Sequence, residues 1–302
     1  MKAGTSQRER ALEARGFYDD LGTDYDLMVS WETRLEREKT FLRRMREETD
    51  AESVLDAACG TGMHAVAFAR DGMRSAGADL SPQMIEQARR NAEAAGVAVD
   101  LRVAAFGELS RTFSTAFDMV TCLGNSLPHL LDDASLRAAL ADFSGVLRPG
   151  GTCVIQIRNY DRLLKERQRF MPPAARTEGA EETVFLRITD FRDGAQGDSA
   201  QGDDARSENV REESARHERA PEIVDFTIIT LKKRSGAWSQ SVRTTALRAL
   251  RRRALEDTLR SAGFSNVRAW GGFDSSPFDE ASSPDLLVAA STPIPHGGSH
   301  RR

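Results

Sequence analysis

Apolar and polar residues alternate along the first half of the chain in two rhythms, one typical of strands and the other of helices. Short apolar runs predict five strands, over about 53–58, 75–80, 99–105, 117–123 and 152–158. Helices are predicted after the first, second and fourth of these strands, and the clearest starts at Ser81-Pro82 and stops at Gly96. Because strands that alternate with helices build parallel sheets, this half predicts an α/β fold with a doubly wound sheet.

The pattern differs at both ends of this region. Residues 8–48 have apolar residues at helical spacing among many charges, which predicts an N-terminal helical cap over 1–52. After residue 165 the chain has three apolar stretches with no helix between them, over 183–192, 223–233 and 238–250. They predict an antiparallel β flap, or substrate lid, over 166–250.

The last part of the chain returns to the first pattern. A helix over about 255–262 precedes two short apolar runs, near 267–270 and 286–290. With the five earlier strands they complete a seven-stranded, mostly parallel sheet. Residues 53–165 and 251–292 are therefore predicted to form one domain.

Charge is concentrated in one segment. Residues 194–222 hold eight acids and four arginines, so this segment alone accounts for the chain's formal net charge of −4. It is nearly free of large apolar groups, which predicts a disordered acidic loop, and the tail over 293–302 is predicted to be disordered as well. A nucleic-acid-binding protein usually presents a basic face, and none is visible here.

The sequence also bears on compartment and metal content. No stretch approaches the roughly 20 apolar residues of a membrane span, and the first seven residues contain no apolar signal core. Cys59, Cys122 and Cys153 lie in or beside apolar runs, and no pair of them has metal-ligand spacing. We therefore expect a cytoplasmic protein without a metal site, while the oligomeric state stays open.

The main chemical signal is the run Val54-Leu55-Asp56-Ala57-Ala58-Cys59-Gly60-Thr61-Gly62, followed by Asp79 nineteen residues after Gly60. It describes a strand, a glycine turn and a helix start, with an acid at the end of the next strand. The run also fits a relaxed dinucleotide fingerprint. However, Asp56 would repel a pyrophosphate at the helix N-terminus, whereas it suits the sulfonium and ammonium of S-adenosylmethionine. S-adenosylmethionine is therefore favoured over a dinucleotide, and a glycine turn that binds nothing is a further alternative.

Two further segments join this run in a family resemblance. They are Cys122-Leu123-Gly124-Asn125-Ser126-Leu127-Pro128-His129-Leu130 and the stretch from Arg148-Pro149-Gly150-Gly151 through Arg158-Asn159-Tyr160-Asp161. With these segments the chain resembles class I S-adenosylmethionine-dependent methyltransferases, most closely the glycine N-methyltransferase type. The resemblance is good over about 17–165 and poor in the flap, and it implies the Rossmann-like methyltransferase fold.

The resemblance implies roles for individual residues. Asp56 and Gly60 would lie along the methionine portion of the cofactor, Asp79 would hold the ribose, and Met84 would flank the adenine. Tyr18 and Tyr25 would close over the cofactor, Arg34 would bind its carboxylate, and Leu123 would offer backbone groups. Asn125 and Arg158 would be the catalytic residues that face the methyl acceptor, with Arg158 gripping a carboxylate. The full cofactor-binding set implied in this way is Tyr18, Tyr25, Arg34, Asp56, Ala57, Gly60, Gly62, Asp79, Leu80, Met84, Ala105, Phe106 and Leu123.

Several positions depart from the family pattern. Ala104-Ala105-Phe106 stands where many relatives have an acid for the adenine amine, and Gln156-Ile157 replaces an acid and a histidine before Arg158. Thr244-Thr245-Ala246-Leu247 stands in place of a tyrosine-rich flap strand. The acceptor specificity of the glycine enzymes therefore does not transfer to this chain.

The sequence thus predicts a methyltransferase that acts on a small molecule. The resemblance favours N-methylation of an amino acid or a related amine, and Arg158 ends an apolar strand at the edge of the sheet where ligands bind in such folds. O-methylation of a carboxylic acid or natural product is the alternative within the same class. From other classes, a nicotinamide-dependent oxidoreductase and a non-catalytic cofactor-binding module stay open.

Overall fold

Three helices precede the sheet in the computed structural model, which describes residues 7–22, 24–192 and 221–294. They are α1 (Gln7–Leu21), α2 (Asp24–Val29) and α3 (Trp31–Thr49). Helix α3 buries Phe41, Leu42 and Met45 and exposes most of its charged residues, as its apolar spacing predicts. The exception is Glu38, which is fully buried and belongs to the site described below.

The alternating half of the chain has the predicted order of elements. Its strands and helices are β1 (Ser53–Ala57), α4 (Met63–Arg70), β2 (Arg74–Asp79), α5 (Pro82–Ala94), β3 (Asp100–Val103), α6 (Leu109–Thr112), β4 (Phe117–Cys122), a short 3₁₀ helix (Leu127–His129), α7 (Asp133–Val146), β5 (Leu147–Arg158) and α8 (Tyr160–Glu166). Ser81 caps α5 by accepting a hydrogen bond from the backbone N–H of Met84 at 3.0 Å. Three elements had no prediction, namely α6, the 3₁₀ helix and α8, and β5 starts at Leu147 rather than near 152.

The central sheet has seven strands in the order β10-β11-β5-β4-β1-β2-β3. The last elements of the chain supply α9 (Arg252–Ser261), β10 (Ser265–Trp270) and β11 (Asp285–Ser291), and β11 runs antiparallel to both of its neighbours. The predicted seven-stranded, mostly parallel sheet is confirmed. Its strand order reverses between β1 and β4, and ligands of such sheets bind at the carboxyl ends of the strands beside that point.

The flap is a separate antiparallel sheet of four strands. They are β6 (Ala174–Glu178), β7 (Glu181–Phe191), β8 (Ile223–Arg234) and β9 (Ala237–Arg248), of which β6 was not predicted. Ser235 and Gly236 join β8 to β9, and their φ values of 49° and 82° are those of a type I′ hairpin turn. The predicted acidic loop over 194–222 lies outside the described residues except for its last two, and the predicted tail does so from residue 295.

Packing brings the flap and the N-terminal helices together over the sheet. Every residue of β1 is buried, as expected for a central strand of a sheet that is covered on both faces. A separate cluster joins Phe17 and Leu21 of α1 to Phe185 and Ile228 of the flap. This cluster fixes the roof above the carboxyl ends of the strands. Within the described ranges, no helix has both the length and the apolar character needed to cross a membrane.

Gly62 makes the turn after β1 sensitive to any side chain. Its φ is +83°, and a Cβ there would lie 2.8 Å from the Cβ of Ala88 on α5. We expect Gly62→Ala to lower the free energy of unfolding by about 2–4 kcal/mol, from left-handed strain and overpacking together. Gly72→Ala is the matched control, because Gly72 has a φ of +84° and no atom within 4 Å of its Cβ position. Chemical denaturation of both variants checks this; equal losses would contradict the packing role.

Candidate functional site

A cavity of about 610 Å³ lies at the carboxyl ends of β1, β2 and β4, on the side of the strand-order reversal. Its volume falls within the roughly 300–1,000 Å³ range of small-molecule sites. Gly60, Asp79, Met84 and Leu123 contribute to its lining from four different segments. The position is the one that the sheet topology predicts for a ligand.

Asp79 organises the glycine turn at the floor of this cavity. One carboxylate oxygen accepts a hydrogen bond from the backbone N–H of Gly60 at 2.9 Å, and the other accepts from the N–H of Ser81 at 2.9 Å. Burial raises the pKa of Asp79 to about 6, although these two N–H groups act in the opposite direction. A carboxylate held at both oxygens in this way has a fixed orientation toward the cavity.

Asp56 lies beneath the turn and is almost completely buried. One oxygen accepts a hydrogen bond from the Thr121 hydroxyl at 2.9 Å, while the other is buried and has no hydrogen-bond partner in the described part of the chain. A ring nitrogen of His64 lies 3.9 Å from the second oxygen. Burial raises the pKa of Asp56. An unsatisfied buried carboxylate oxygen is costly, which makes it a candidate for contact with a ligand's cation.

A buried ionic network, which the sequence analysis did not find, connects Asp56 to helix α3. Glu38 accepts from Arg34 at 2.8 Å and contacts the His64 ring at 2.6 Å. Burial alone would raise the pKa of Glu38, but His64 and Arg34 outweigh it and lower the pKa to about 2. Helical spacing placed Glu38 among charged residues, and only tertiary packing reveals that it is buried.

The N-terminal helices are tied directly to the turn. The Thr61 hydroxyl donates to Asp26 at 2.5 Å, and the Ser81 hydroxyl donates to Asp19. The Tyr18 hydroxyl and the His129 ring are 3.0 Å apart, and burial lowers the pKa of His129 to about 4. The imidazole is therefore neutral at pH 7. The helices thus form a roof whose position depends on the same residues that shape the floor.

The opposite end of the cavity is lined by Ala104, Ala105, Phe106 and Glu108. Glu108 accepts a hydrogen bond from the backbone N–H of Ala105 at 3.0 Å. The N–H of Ala105 is therefore already satisfied by the protein. The aromatic ring of Phe106 packs at 5.7 Å from that of Phe143, which fixes its orientation.

A second cavity, of about 380 Å³, lies between the sheet, the N-terminal helices and the flap. It shares part of its wall with the first cavity, since Tyr18, Tyr25, Gly124 and His129 line both. Its other polar lining includes Arg34, Asn125, Gln156, Arg158, Arg187 and Asp285. Two adjoining chambers at one sheet edge are what a transfer reaction between two ligands needs.

Asn125 and Arg158 are held together at the entrance to this second cavity. The side-chain oxygen of Asn125 accepts from the backbone N–H of Arg158 at 3.0 Å, and its amide nitrogen donates to the Tyr160 hydroxyl at 3.0 Å. The Arg158 guanidinium donates to the Thr189 hydroxyl of the flap at 3.3 Å. Tyr160 is buried, and the amide of Asn125 joins the ends of β4 and β5.

The structure divides the predicted site residues into three groups. Lining the larger cavity are Tyr18, Tyr25, Gly60, Asp79, Leu80, Met84, Ala105, Phe106 and Leu123. Lining the smaller one are Tyr18, Tyr25, Arg34, Asn125 and Arg158. Outside both linings lie Asp56, Ala57 and Gly62, which are buried beneath the turn or packed against α5. In the structure the residues of this last group contribute to the packing around the glycine turn after β1.

The sequence analysis missed Arg187, Gln156 and Asp285 as lining residues of the second cavity. Gln156 accepts from the backbone N–H of Gly124 at 2.7 Å and donates to Asp285 at 2.8 Å, so it links β4, β5 and β11. Alternation along β7 could have identified Arg187, because it shares a strand face with Phe185 and Thr189. No sequence signal relates Asp285 to Gln156, since the pairing of β11 with β5 spans more than a hundred residues.

Comparison with known proteins bears on the identity of this site. Residues 54–151 match the sequence profile described as methyltransferase domain. The chain is 37% identical over 160 residues to the glycine/sarcosine N-methyltransferase of Parasynechococcus marenigrum (strain WH8102). The aligned region covers 53% of this chain and 57% of that protein. It is 33% identical over 137 residues to the glycine N-methyltransferase of Rattus norvegicus, which covers 42% of this chain and 47% of that protein. The chain therefore spans about half the length of these relatives.

Solved structures share the fold over most of the chain. An S-adenosylmethionine-dependent methyltransferase from Clostridium acetobutylicum ATCC 824 superposes with a TM-score of 0.67 at 15% identity, over 91% of this chain and 99% of the other. The sugar N-methyltransferase KedS8 from Streptoalloteichus sp ATCC 53650 superposes with a TM-score of 0.64 at 20% identity, over 90% and 94%. At these identities the comparison shows the fold alone.

Proposed function

We propose that the chain transfers a methyl group from S-adenosylmethionine to the nitrogen of an amino acid or a related small amine, as its similarity to a methyltransferase domain and to glycine/sarcosine N-methyltransferases supports. The observation that carries this proposal is the pair of adjoining cavities. The larger cavity has the Asp79 carboxylate at its floor, and the smaller one contains Arg158. Asn125 joins the ends of the two strands beside them.

The larger cavity fits a cationic nucleoside better than a dinucleotide. Asp79 presents a carboxylate to the cavity, and beneath the turn Asp56 keeps one buried oxygen without a partner in the described part of the chain. Both groups would repel a pyrophosphate and would favour an ammonium or sulfonium together with ribose hydroxyls. We propose that Asp79 holds the ribose, that Asp56 lies nearest the methionine portion, and that Met84 and Phe106 flank the adenine. This arrangement argues against the nicotinamide-dependent alternative.

Catalysis by these residues requires positioning rather than acid–base chemistry. When bound, S-adenosylmethionine supplies an electrophilic methyl group on a sulfonium, and the departing thioether is neutral. The protein therefore has to align a neutral amine with that methyl group and exclude water. Tyr18 and Tyr25 form the wall between the two cavities, and burial raises the pKa of both hydroxyls, so both remain neutral.

The environment of Arg158 favours an acceptor that carries a carboxylate. Its guanidinium lies in the second cavity and contacts a hydroxyl, but no acidic group of the described residues pairs with it. A guanidinium binds a carboxylate through two parallel hydrogen bonds, which would leave the amine of an amino acid free to face the first cavity. O-methylation would require the carboxylate oxygen itself to face the methyl donor, and a grip by Arg158 opposes that orientation.

The function is tested by incubating the purified protein with S-adenosylmethionine and one acceptor at a time. The acceptors are glycine, sarcosine, dimethylglycine, other small amines and several carboxylic acids, and both products are identified by mass spectrometry. We expect S-adenosylhomocysteine together with an N-methylated amino acid. Methyl esters as products would favour the O-methyltransferase alternative. Binding of S-adenosylhomocysteine without turnover on any acceptor would withdraw the enzymatic proposal.

The affinity for S-adenosylhomocysteine is expected to depend on pH through Asp79. The free carboxyl has a pKa of about 6 because of burial, and ribose hydroxyls donate to its ionised form. The affinity for S-adenosylhomocysteine should therefore reach its maximum above about pH 7. Below pH 6 it should fall by up to about tenfold per pH unit, because Asp79 of the free protein binds a proton that must be released before the ligand binds. Calorimetric titration between pH 5 and 8 measures this dependence. Asp79→Asn is the control that should lack the inflection, and an unchanged inflection in that variant would contradict the assignment.

Two broader proposals accompany this function. We propose that the chain is organised as an N-terminal helical cap, a cofactor-binding domain in two segments and a flap that serves as a substrate lid. We also propose a cytoplasmic location, which the three cysteines support. Cys59, Cys122 and Cys153 are buried and free, as is typical of proteins in reducing compartments.

A further inference from the structure

The second cavity contains more positive charge than one carboxylate requires. Its charged lining residues are Arg34, Arg37, Arg158, Arg187 and Asp285. Arg34 and Arg37 are paired with the buried Glu38, at 2.8 Å and 3.3 Å. Neither Arg158 nor Arg187 makes an ion pair with any acid in the ranges that the structure describes; their hydrogen bonds go to Thr189 and to the Pro172 carbonyl. Two guanidinium groups of one cavity are thus left without an anionic partner.

Strand geometry places these two arginines side by side. Arg187 and Thr189 lie two residues apart on β7, so their side chains point to the same face of the flap, roughly 7 Å apart. The Thr189 hydroxyl accepts a hydrogen bond from Arg158 at 3.3 Å. The residues opposite Arg187 and Thr189 on β8 are Ile228 and Phe226, and both line the same cavity. This face of the flap therefore places the Arg187 guanidinium in the same part of the cavity as the Arg158 guanidinium.

The Arg187 side chain is only partly satisfied by the protein. Its Nη2 donates to the backbone oxygen of Pro172 at 3.1 Å, whereas its Nε is buried and has no hydrogen-bond partner among the described residues. Burial, with a further contribution from the charge of Arg158, lowers the pKa of Arg187. A buried donor without a partner is costly, and two like charges side by side add to that cost. A bound anion would remove both.

We propose that Arg187 is a second anion-binding residue of the acceptor site, so that the acceptor is an amine with two anionic groups. An amino acid with an acidic side chain fits this description. Arg158 would take one anionic group and Arg187 the other. This inference rests on the proposed function, because it assigns the acceptor class for the same site. It also accounts for a cavity of about 380 Å³, which is large for glycine with its five non-hydrogen atoms.

The test compares acceptors across variants of Arg187. L-aspartate, L-glutamate and O-phospho-L-serine are each compared with glycine by kcat/KM, in the wild type, Arg187→Gln and Arg187→Lys. We expect the wild type to prefer a dianionic acceptor by about tenfold or more, and Arg187→Gln to lower kcat/KM for the dianionic acceptors at least about tenfold more than it lowers kcat/KM for glycine. Arg187→Lys should retain part of that preference, because the charge remains. Aspartate, glutamate and phosphoserine separate a carboxylate from a phosphate as the second group.

Two controls separate this role from a structural one. Arg234→Gln removes an exposed flap arginine that pairs with Glu181, and it should change neither value. If Arg187→Gln lowers kcat/KM for glycine and aspartate equally, its role is to hold the flap against Pro172, and the proposal is overturned. A wild-type preference for glycine over every dianionic acceptor overturns it as well.

Failure of the proposed function would be visible separately. If no acceptor is methylated, succinate and acetate serve as binding probes, measured by calorimetry on the full chain. Tighter binding of succinate than of acetate, weakened about tenfold or more in Arg187→Gln, would still support a site for two anionic groups. Equal succinate affinity in the two proteins would remove Arg187 from it.

Discussion

Asp79→Asn is expected to weaken S-adenosylhomocysteine binding by about 100-fold. The substitution removes the charge from a carboxylate that would accept two ribose hydroxyls, and each hydrogen bond to a charged group contributes about 1.5–3 kcal/mol. A total near 3 kcal/mol corresponds to about two orders of magnitude in Kd. The amide also has only one acceptor atom, so it can satisfy only one of the backbone N–H groups of Gly60 and Ser81. Calorimetric titration of both proteins measures the effect.

The control for this substitution is Asp71→Asn, which changes an exposed acid just after α4. We expect it to bind S-adenosylhomocysteine like the wild type. Circular dichroism and thermal unfolding establish that Asp79→Asn is folded. A folded Asp79→Asn protein with unchanged affinity would show that the carboxylate serves only the turn, and the ribose assignment would be withdrawn.

Arg158→Ala is expected to lower kcat/KM for the acceptor by about 100-fold, through the loss of a charge-assisted, two-pronged contact with its carboxylate. The Kd for S-adenosylhomocysteine should change less than about threefold, because Arg158 lines only the second cavity. Arg158→Lys should lie between the two, since lysine keeps the charge but not the planar fork. Initial rates at varied acceptor concentration, together with calorimetry, give both quantities.

Arg162→Ala is the matched control, because Arg162 lies one turn along the chain and pairs with Glu166 at the surface. It should leave both quantities unchanged. Equal losses of acceptor use and cofactor affinity in Arg158→Ala would place Arg158 outside the acceptor site. The backbone N–H of residue 158, which donates to Asn125, is retained in the variant, so the strand ends stay joined.

The elements that the sequence predicts well are those whose signals are local. The alternation of strands and helices and the helix start at Ser81 each depend on neighbouring residues, and each is confirmed. The glycine turn with Asp79 is equally local, because its partners lie within one β-α-β unit. The family resemblance drew on the same segments, and the comparisons confirm it.

The features that the sequence analysis missed depend on contacts between distant segments. Glu38 is one charge among many on α3, and its contact with His64 joins two segments that lie far apart in the sequence. Arg187 is related to Arg158 only through Thr189, which lies two residues from Arg187 on β7 and accepts a hydrogen bond from Arg158. Strand β6 has no distinctive apolar run, so only its pairing with β7 identifies it as a strand. Gly62 was assigned to the cofactor, whereas its tightest constraint is the contact with Ala88.

The most direct test of the central claim is to identify the atom that receives the methyl group. The protein is incubated with S-adenosylmethionine carrying a ¹³C-labelled methyl group and with the acceptor that turns over fastest, and the product is examined by NMR. We predict that the label appears as an N-methyl group on an amino acid whose carboxylate is unmodified. A labelled methyl ester, or label that remains on S-adenosylmethionine with every acceptor although the protein binds it, would contradict the account.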